Sequence, residues 1–288
     1  MTAALRRVFA RGKQGRPRLW TELALIVVGY VLYSLTRDAV PGQQATAMRR
    51  AESVLRSEHR LHIDIELSVN HALDKITPLI VGMNYYYATL HFVITIGVLV
   101  WLYVRHPQIY RPARTVLFLA TLSSLIGFYF FALAPPRFLT DHGFISTVVT
   151  HHTWGSWGSS NVDSISNQYA AMPSDHIAWS GWCGIMLYRY AGRRWLRVAG
   201  LLYPLFTFTV IIATANHFVL DAVGGAIALS AAFAIQLLLS RLGSRGRGAE
   251  STSLPTPRAQ HDGGGHQGTV GEQRGVSDAE SAIEQRDG

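Results

Sequence analysis

Residues 214–241 read TANHFVLDAVGGAIALSAAFAIQLLLSR. Between Asp221 and Arg241 no side chain carries a charge, and the apolar run at 217–239 has the roughly 20 residues that a helix needs to cross a bilayer. Read as a membrane span, this run decides the fold class. Five more apolar runs lie upstream, at about 19–36, 79–103, 115–134, 176–190 and 195–214. The run at 176–190 is the shortest, and a buried core helix is its other reading. Together they predict an all-α integral membrane six-helix bundle. Composition agrees, since 49% of the 288 residues are hydrophobic and only 15% are charged, which is too apolar for an ordinary soluble domain.

Charge placement orients the bundle. Arg6, Arg7, Arg11, Lys13, Arg16 and Arg18 precede the first span, and Arg105, Arg111 and Arg114 join the second to the third. Arg189, Arg193, Arg194 and Arg197 join the fourth to the fifth, and Arg241, Arg245 and Arg247 follow the sixth. These are alternate ends, and the positive-inside rule makes all of them cytoplasmic. Both termini are then cytoplasmic and the chain is a multi-pass protein of the cell membrane. The loop at 135–175, with Arg137 as its single base against Asp141, Asp163 and Asp175, faces outward. The other outward segment, 37–75, carries as many acids as bases. Its Ala47, Val54, Leu55 and Leu61 recur at roughly helical intervals, as in an amphipathic helix on the membrane surface or a soluble linker helix.

Three regions follow: a basic N-terminus at 1–18, a six-span membrane domain at 19–241, and a tail at 242–288. The tail is rich in Gly, Ser, Gln and Arg and nearly devoid of large apolar residues, a composition expected to be disordered. The basic N-terminus before an apolar run mimics a secretory signal, but without a small-residue cleavage pattern it reads as an uncleaved anchor. The net charge of +8 calls for no nucleic-acid partner, because the bases sit where anionic headgroups attract them. Cys183, the single cysteine, lies within a span and offers neither an intramolecular disulfide nor a thiolate metal site.

The opening stretch begins with Asn216, His217 and Asp221 at the outer end of the sixth span. The fourth span opens the same way: residues 170–182 read AAMPSDHIAWSGW, with Pro173, Ser174, Asp175 and His176 at its outer lip. Arg137, in ALAPPRFL, ends the third span on that face. An ionisable residue at the centre of a span costs about 2.5–3.5 kcal/mol, so several gathered at one depth mark a functional site. His217 and Asp221 are four apart, hence on one face of a helix. A carboxylate on one ring nitrogen fixes the tautomer and leaves the other as a directed base or nucleophile. Pro173 suits a helix start, which puts Ser174 and His176 in a first turn that favours an anion. With Arg137 able to fork onto two oxygens, the ingredients match a phosphate. Taken singly, each residue has a plainer use, as an interfacial histidine or a helix cap; the joint arrangement carries the reading. No carboxylate cage for a metal is present, and no cofactor is implied.

PSDH followed by HFVLD resembles the second and third signatures of the type 2 phosphatidic acid phosphatase superfamily, Pro-Ser-x-His and His-x3-Asp. NYYYATLH, ALAPPRFL and a third signature without arginine are more similar to its branch of inositol phosphorylceramide synthase-like phosphotransferases. The resemblance covers about 80–240. It implies His217 as nucleophile, Asp221 as its orienting partner, His176 as general acid, and Ser174 and Arg137 as phosphate binders. Asp175 stands where the family often has glycine, and Ile211 where the third signature has arginine. The first signature's lysine has no match near Arg137, and fewer cations imply either a weaker phosphate pocket or a less charged substrate, as a phosphodiester would be. RHPQIYRP at 105–112 is one residue short of the first signature and lies on the cytoplasmic side.

Asn84, Tyr87 and His91 form one stripe of the second span. Interhelical hydrogen bonding and a lipid headgroup pocket shared with Asp175 both fit it. The Gly- and Ser-rich loop from His151 to Tyr169 could form a lid. The sequence therefore predicts a lipid-phosphate phosphatase or phosphotransferase, its partners a lipid phosphate substrate and membrane lipids. Hydrolysis and transfer of a headgroup such as inositol phosphate stay open, with the synthase-like details tilting toward transfer. An intramembrane serine protease using Ser174 and a lipid transporter without chemistry are the alternatives.

Overall fold

The computed structural model describes residues 17–38, 44–153 and 169–252. Most of the basic N-terminus, residues 154–168 of the expected lid, and the tail beyond Thr252 lie outside the described residues. Through Ser244 the chain forms one compact unit. Helix α1 spans Leu19–Asp38, and α2 (Gln44–Leu61) and α3 (Glu66–Asp74) follow outside the expected spans. Then come α4 (Thr77–Tyr85), a π-helical turn at Tyr86–Leu90 and α5 (His91–Arg105), which continue one another into one rod. Helix α6 (Pro107–Phe130) leads to two 3-10 turns and the one-turn α7 (Thr147–Thr150). The last three are α8 (Asp175–Tyr190), α9 (Arg194–Ala213) and α10 (Val219–Thr252), the last running past residue 242, where the tail composition begins. Among the described residues there is no β-strand; a single isolated bridge pairs Leu133 with Ala170.

Four of these helices are long and apolar enough to cross a membrane: Thr77–Arg105, Pro107–Phe130, Arg194–Ala213 and Val219–Leu242. Their outer faces need an apolar solvent. Val93, Ile96, Leu205, Ile227 and Leu237 are each 59–64% exposed, a surface that water would not tolerate on a stable monomer. Helices α1 and α8 occupy the other two expected spans. With 16 residues α8 rises only about 24 Å, short of the roughly 30 Å hydrocarbon core. It is the innermost helix, with Ala178, Trp182, Cys183 and Met186 buried against Leu102, Val116 and Ala120 of α5 and α6 and Leu229 and Ala232 of α10.

Small residues set the closest approaches, since apolar lipid leaves packing and hydrogen bonds to drive helix association. A Cβ on Gly184 of α8 would lie 2.5 Å from the Gly200 carbonyl of α9, so the two backbones touch there. At the end of the bundle that bears the basic loops, Glu22 of α1 pairs with Arg114 of α6 and accepts a 2.9 Å hydrogen bond from Tyr110.

At the other end α2 and α3 pack on the protein. Ala47, Ala51 and Val54 are buried in one cluster with Leu133, Ala134, Phe144, Ala171 and Phe218, while Leu61 stays 60% exposed. The apolar face of this amphipathic helix therefore meets the bundle and not lipid, because small residues every three or four positions let it lie flat on the segments around the site.

Candidate active site

Helix α8 starts at Asp175, with Ser174 as its N-cap in extended conformation. The Ser174 hydroxyl makes no capping bond and is buried without a partner, although its backbone N–H donates to the Asp221 carbonyl at 3.0 Å. Gly225, one turn further along α10, permits this contact: a Cβ there would lie 2.3 Å from the Ser174 carbonyl oxygen. Two span ends are thereby held backbone to backbone.

After α9 the chain turns sharply. Ala215 sits at φ 49°, a left-handed conformation that costs free energy for any residue with a Cβ. It is held by its carbonyl, which accepts the Arg137 N–H at 2.9 Å, and by its own N–H, bonded to the Ile212 carbonyl at 3.0 Å. The Arg137 guanidinium donates to Asn216 Oδ1, and the Asn216 amide donates to Thr214 Oγ1 at 2.8 Å. Arg137 is thus fixed at the site, its guanidinium also over the Phe138 ring.

His217 precedes α10, so it and Asp221 are not paired along a regular helix. Nδ1 lies 2.9 Å from the Ala171 carbonyl and 3.5 Å from Asp221 Oδ2. The carboxylate is drawn inward because Oδ2 also caps the Phe218 N–H at 2.9 Å. A carbonyl can only accept, so in the neutral ring Nδ1 carries the proton and Nε2 presents its lone pair. Ala171 is itself tied down, its N–H donating to the Leu133 carbonyl at 3.3 Å. Among the described residues, His217 Nε2 is buried and has no hydrogen-bond partner.

The His176 ring lies beside the His217 ring, with centroids 5.6 Å apart. Tyr87 orients His176 by stacking on it at 4.1 Å, while the Tyr87 carbonyl accepts a long 3.3 Å bond from His176 Nε2. His91 lies 4.7 Å from His176, ring to ring, and its Nδ1 meets the Tyr203 hydroxyl at 3.1 Å. The π-helical turn between Tyr87 and His91 makes this possible, widening the helix so that both side chains reach one imidazole. Asn84 sits further out, its Oδ1 accepting from Thr147 of α7 at 2.9 Å. The Asp175 carboxyl lies beside Ser124 of α6. Ile211 is fully buried in an apolar cluster with Ile212 and Ala222, so hydrophobic packing occupies the place of an arginine.

Arg137, Ser174, His176, His217 and Asp221 thus converge from three stretches of chain, with Tyr87 and His91 behind His176. Sequence reasoning did not single out the Ala171 carbonyl, the close approach at Gly225, or Asn216 as the partner of Arg137. It also passed over Glu58 and Glu66, buried carboxyls that accept the N–H groups of Leu220 and Val219 at 2.7 Å each. The only available signal for these was their place on the buried stripe of α2 and at the start of α3.

No curated protein and no solved structure matches the chain significantly. A family model does: it covers residues 52–235, more than half of the chain, from α2 into α10 and across every residue of the site. The chain is a membrane protein and belongs to the PAP2 superfamily.

Proposed function

We propose that the chain cleaves a phosphoryl bond of a lipid phosphate at the extracytoplasmic face of the cell membrane, through a phosphohistidine on His217. Superfamily membership supports phosphatase-type chemistry on lipid-like phosphates. One observation carries the finer reading. His217 Nδ1 is tied to a carbonyl while Nε2 is buried and unpartnered among the described residues, and the ring of a second histidine lies 5.6 Å away, centroid to centroid.

In the first step the Nε2 lone pair forms a bond to phosphorus as the bond to the leaving oxygen breaks, and His176 gives that oxygen its proton. In the second, a hydroxyl oxygen attacks the phosphohistidine, its proton passes to His176, and the P–N bond breaks to restore His217. Arg137 and the Ser174 hydroxyl stabilise charge on the equatorial oxygens. Asp221 steadies the proton on Nδ1 as the ring becomes positive. Water as the attacking hydroxyl makes the enzyme a phosphatase. A lipid or inositol hydroxyl makes it a phosphotransferase, the outcome favoured by the synthase-like stripe Asn84, Tyr87 and His91. The outward orientation rests on the basic loops at the opposite end of the bundle.

A serine protease would need the Ser174 hydroxyl bonded to a histidine, and that hydroxyl has no partner. Purified full-length protein in detergent should release phosphate, or a phospho-headgroup, from a lipid phosphate and trap an acid-labile phosphoenzyme that His217→Ala lacks. Cleavage without any trapped phosphoenzyme would refute the nucleophile, and absence of cleavage would favour transport.

A further inference from the structure

Glu58 of α2 and Glu66 of α3 are fully buried, yet among the described residues neither pairs with a base. Each uses one oxygen, Oε1, to accept a backbone N–H from the first turn of α10: Leu220 for Glu58 and Val219 for Glu66, both at 2.7 Å. The other oxygen of each, Oε2, meets no donor from any other residue, and the two carboxyls lie against each other. Two ionised carboxylates cannot share such a site, whereas a carboxylic acid donating to a carboxylate satisfies both free oxygens with one proton.

We propose that Glu58 and Glu66 are a positioning pair for the nucleophile. Sharing one proton, they clamp Val219 and Leu220 from outside the bundle and hold His217, two residues upstream, at its Ala171 anchor. This rests on His217 being the nucleophile. The pair touches neither substrate nor the reacting atoms and acts through the backbone.

Titration of the pair follows from its surroundings. Burial pushes the Glu58 carboxyl up to about 9, with Glu66 and Asp221 adding negative charge and the Leu220 N–H opposing. Burial also raises Glu66. The charged groups around them are Asp221 on α10, Asp64 with its partner His59 at 2.7 Å, and Glu52, Arg56, Arg60 and His142 along the open groove that reaches Glu66. At neutral pH Glu58 keeps its proton. As pH rises through about 9 the proton leaves, and two buried carboxylates repel beside Asp221. Stability from this group is fully present below the ordinary glutamate range and is lost as pH climbs toward that value. The clamp should loosen there, and turnover should fall.

The test uses full-length protein in detergent. Wild type, Glu58→Gln and Glu58→Ala are compared by the pH profile of lipid-phosphate cleavage and by mass-spectrometric amide exchange in the peptide containing residues 216–222. Glutamine can still accept from Leu220 and donate to Glu66 but cannot lose a proton. Glu58→Gln should therefore keep near-normal turnover at neutral pH and lose the alkaline fall, with protected amides at every pH. Glu58→Ala should speed exchange at Leu220 and lower kcat about a hundredfold with little change in KM, the scale of an ångström of misplacement. An alkaline fall that survives unchanged in Glu58→Gln, or amides equally protected in Glu58→Ala, would overturn the pair's role. Exchange reads the clamp without catalysis. Exchange as described in protein that cleaves no lipid phosphate would leave the clamp standing and overturn the proposed function instead.

Discussion

Replacing Gly225 by alanine tests whether the backbone contact between α8 and α10 sets the catalytic geometry. The added Cβ would stand 2.3 Å from the Ser174 carbonyl oxygen and 3.2 Å from Ile177 Cβ. Ordinary contact begins near 3.4 Å, so the backbones must part by about 1 Å. Neither can move alone. Ser174 precedes the helix that carries His176, and its N–H holds the Asp221 carbonyl at 3.0 Å; Gly225 lies one turn beyond Asp221 on α10. The separation therefore appears between His176 and His217. Overpacking costs about 1–3 kcal/mol of stability, and an ångström of misalignment between reacting groups costs about 10²-fold in rate. Gly225→Ala should thus remain folded by thermal melting and gel filtration while kcat for phosphate release falls about a hundredfold. Gly97→Ala, where a Cβ would meet nothing within 4 Å, is the control and should be as active as wild type. A fully active Gly225→Ala enzyme would refute the idea that this contact sets the distance between the histidines.

The two histidines should respond differently to the leaving group. His217→Ala should be dead with every substrate, whereas His176→Ala should lose roughly 10²–10⁴-fold with an alkoxide leaving group and far less in single turnovers of a nitrophenyl phosphoester; equal losses across both would sink the assignment. Turnover should survive EDTA, because Nε2 of a neutral imidazole needs no ion to attack, and loss on chelation with rescue by a divalent ion would count against it. A reporter active only outside the cytoplasm, fused after Arg247, should stay silent, and activity there would reverse the proposed orientation.

Helix length and apolarity were legible in the sequence because they follow from composition over 20-residue windows: four of the six apolar runs became long apolar helices, and the other two fell within α1 and α8. The convergence of Arg137, Ser174, His176, His217 and Asp221 was legible too, since each stands at a span end on the same face. Finer geometry was not. Spacing of four suggested that Asp221 meets His217 along a helix, but α10 starts at Val219 and the histidine gives its closest bond to Ala171. That partner is a backbone carbonyl, and backbone groups carry no signature in residue type. The π-helical turn is invisible for the same reason, as nothing in YYATL marks an extra residue per turn. Glu58 was passed over because its burial depends on how α2 packs against residues far along the chain, such as Phe218.

Ionisable groups at the lip of two apolar spans are costly unless their polar atoms are satisfied, and several of the anchoring atoms here are. Asp221 Oδ2 accepts from Phe218, the Ser174 N–H donates to Asp221, the Arg137 N–H donates to Ala215, and His217 Nδ1 meets Ala171. The atoms left over include His217 Nε2 and Ser174 Oγ, both buried and unpartnered. Each costs about 1–3 kcal/mol as an unmade hydrogen bond, and substituting either side chain by an apolar one would remove that cost. Packing alone therefore gives no reason to keep them. Under the proposed function a phosphoryl group would, since its phosphorus would meet the lone pair of Nε2 while one of its oxygens would accept the serine hydroxyl. The polar atoms that the fold satisfies hold the site in place, and His217 Nε2 and Ser174 Oγ are two of the atoms it leaves unsatisfied, the two that a phosphoryl group would complete under the proposed function.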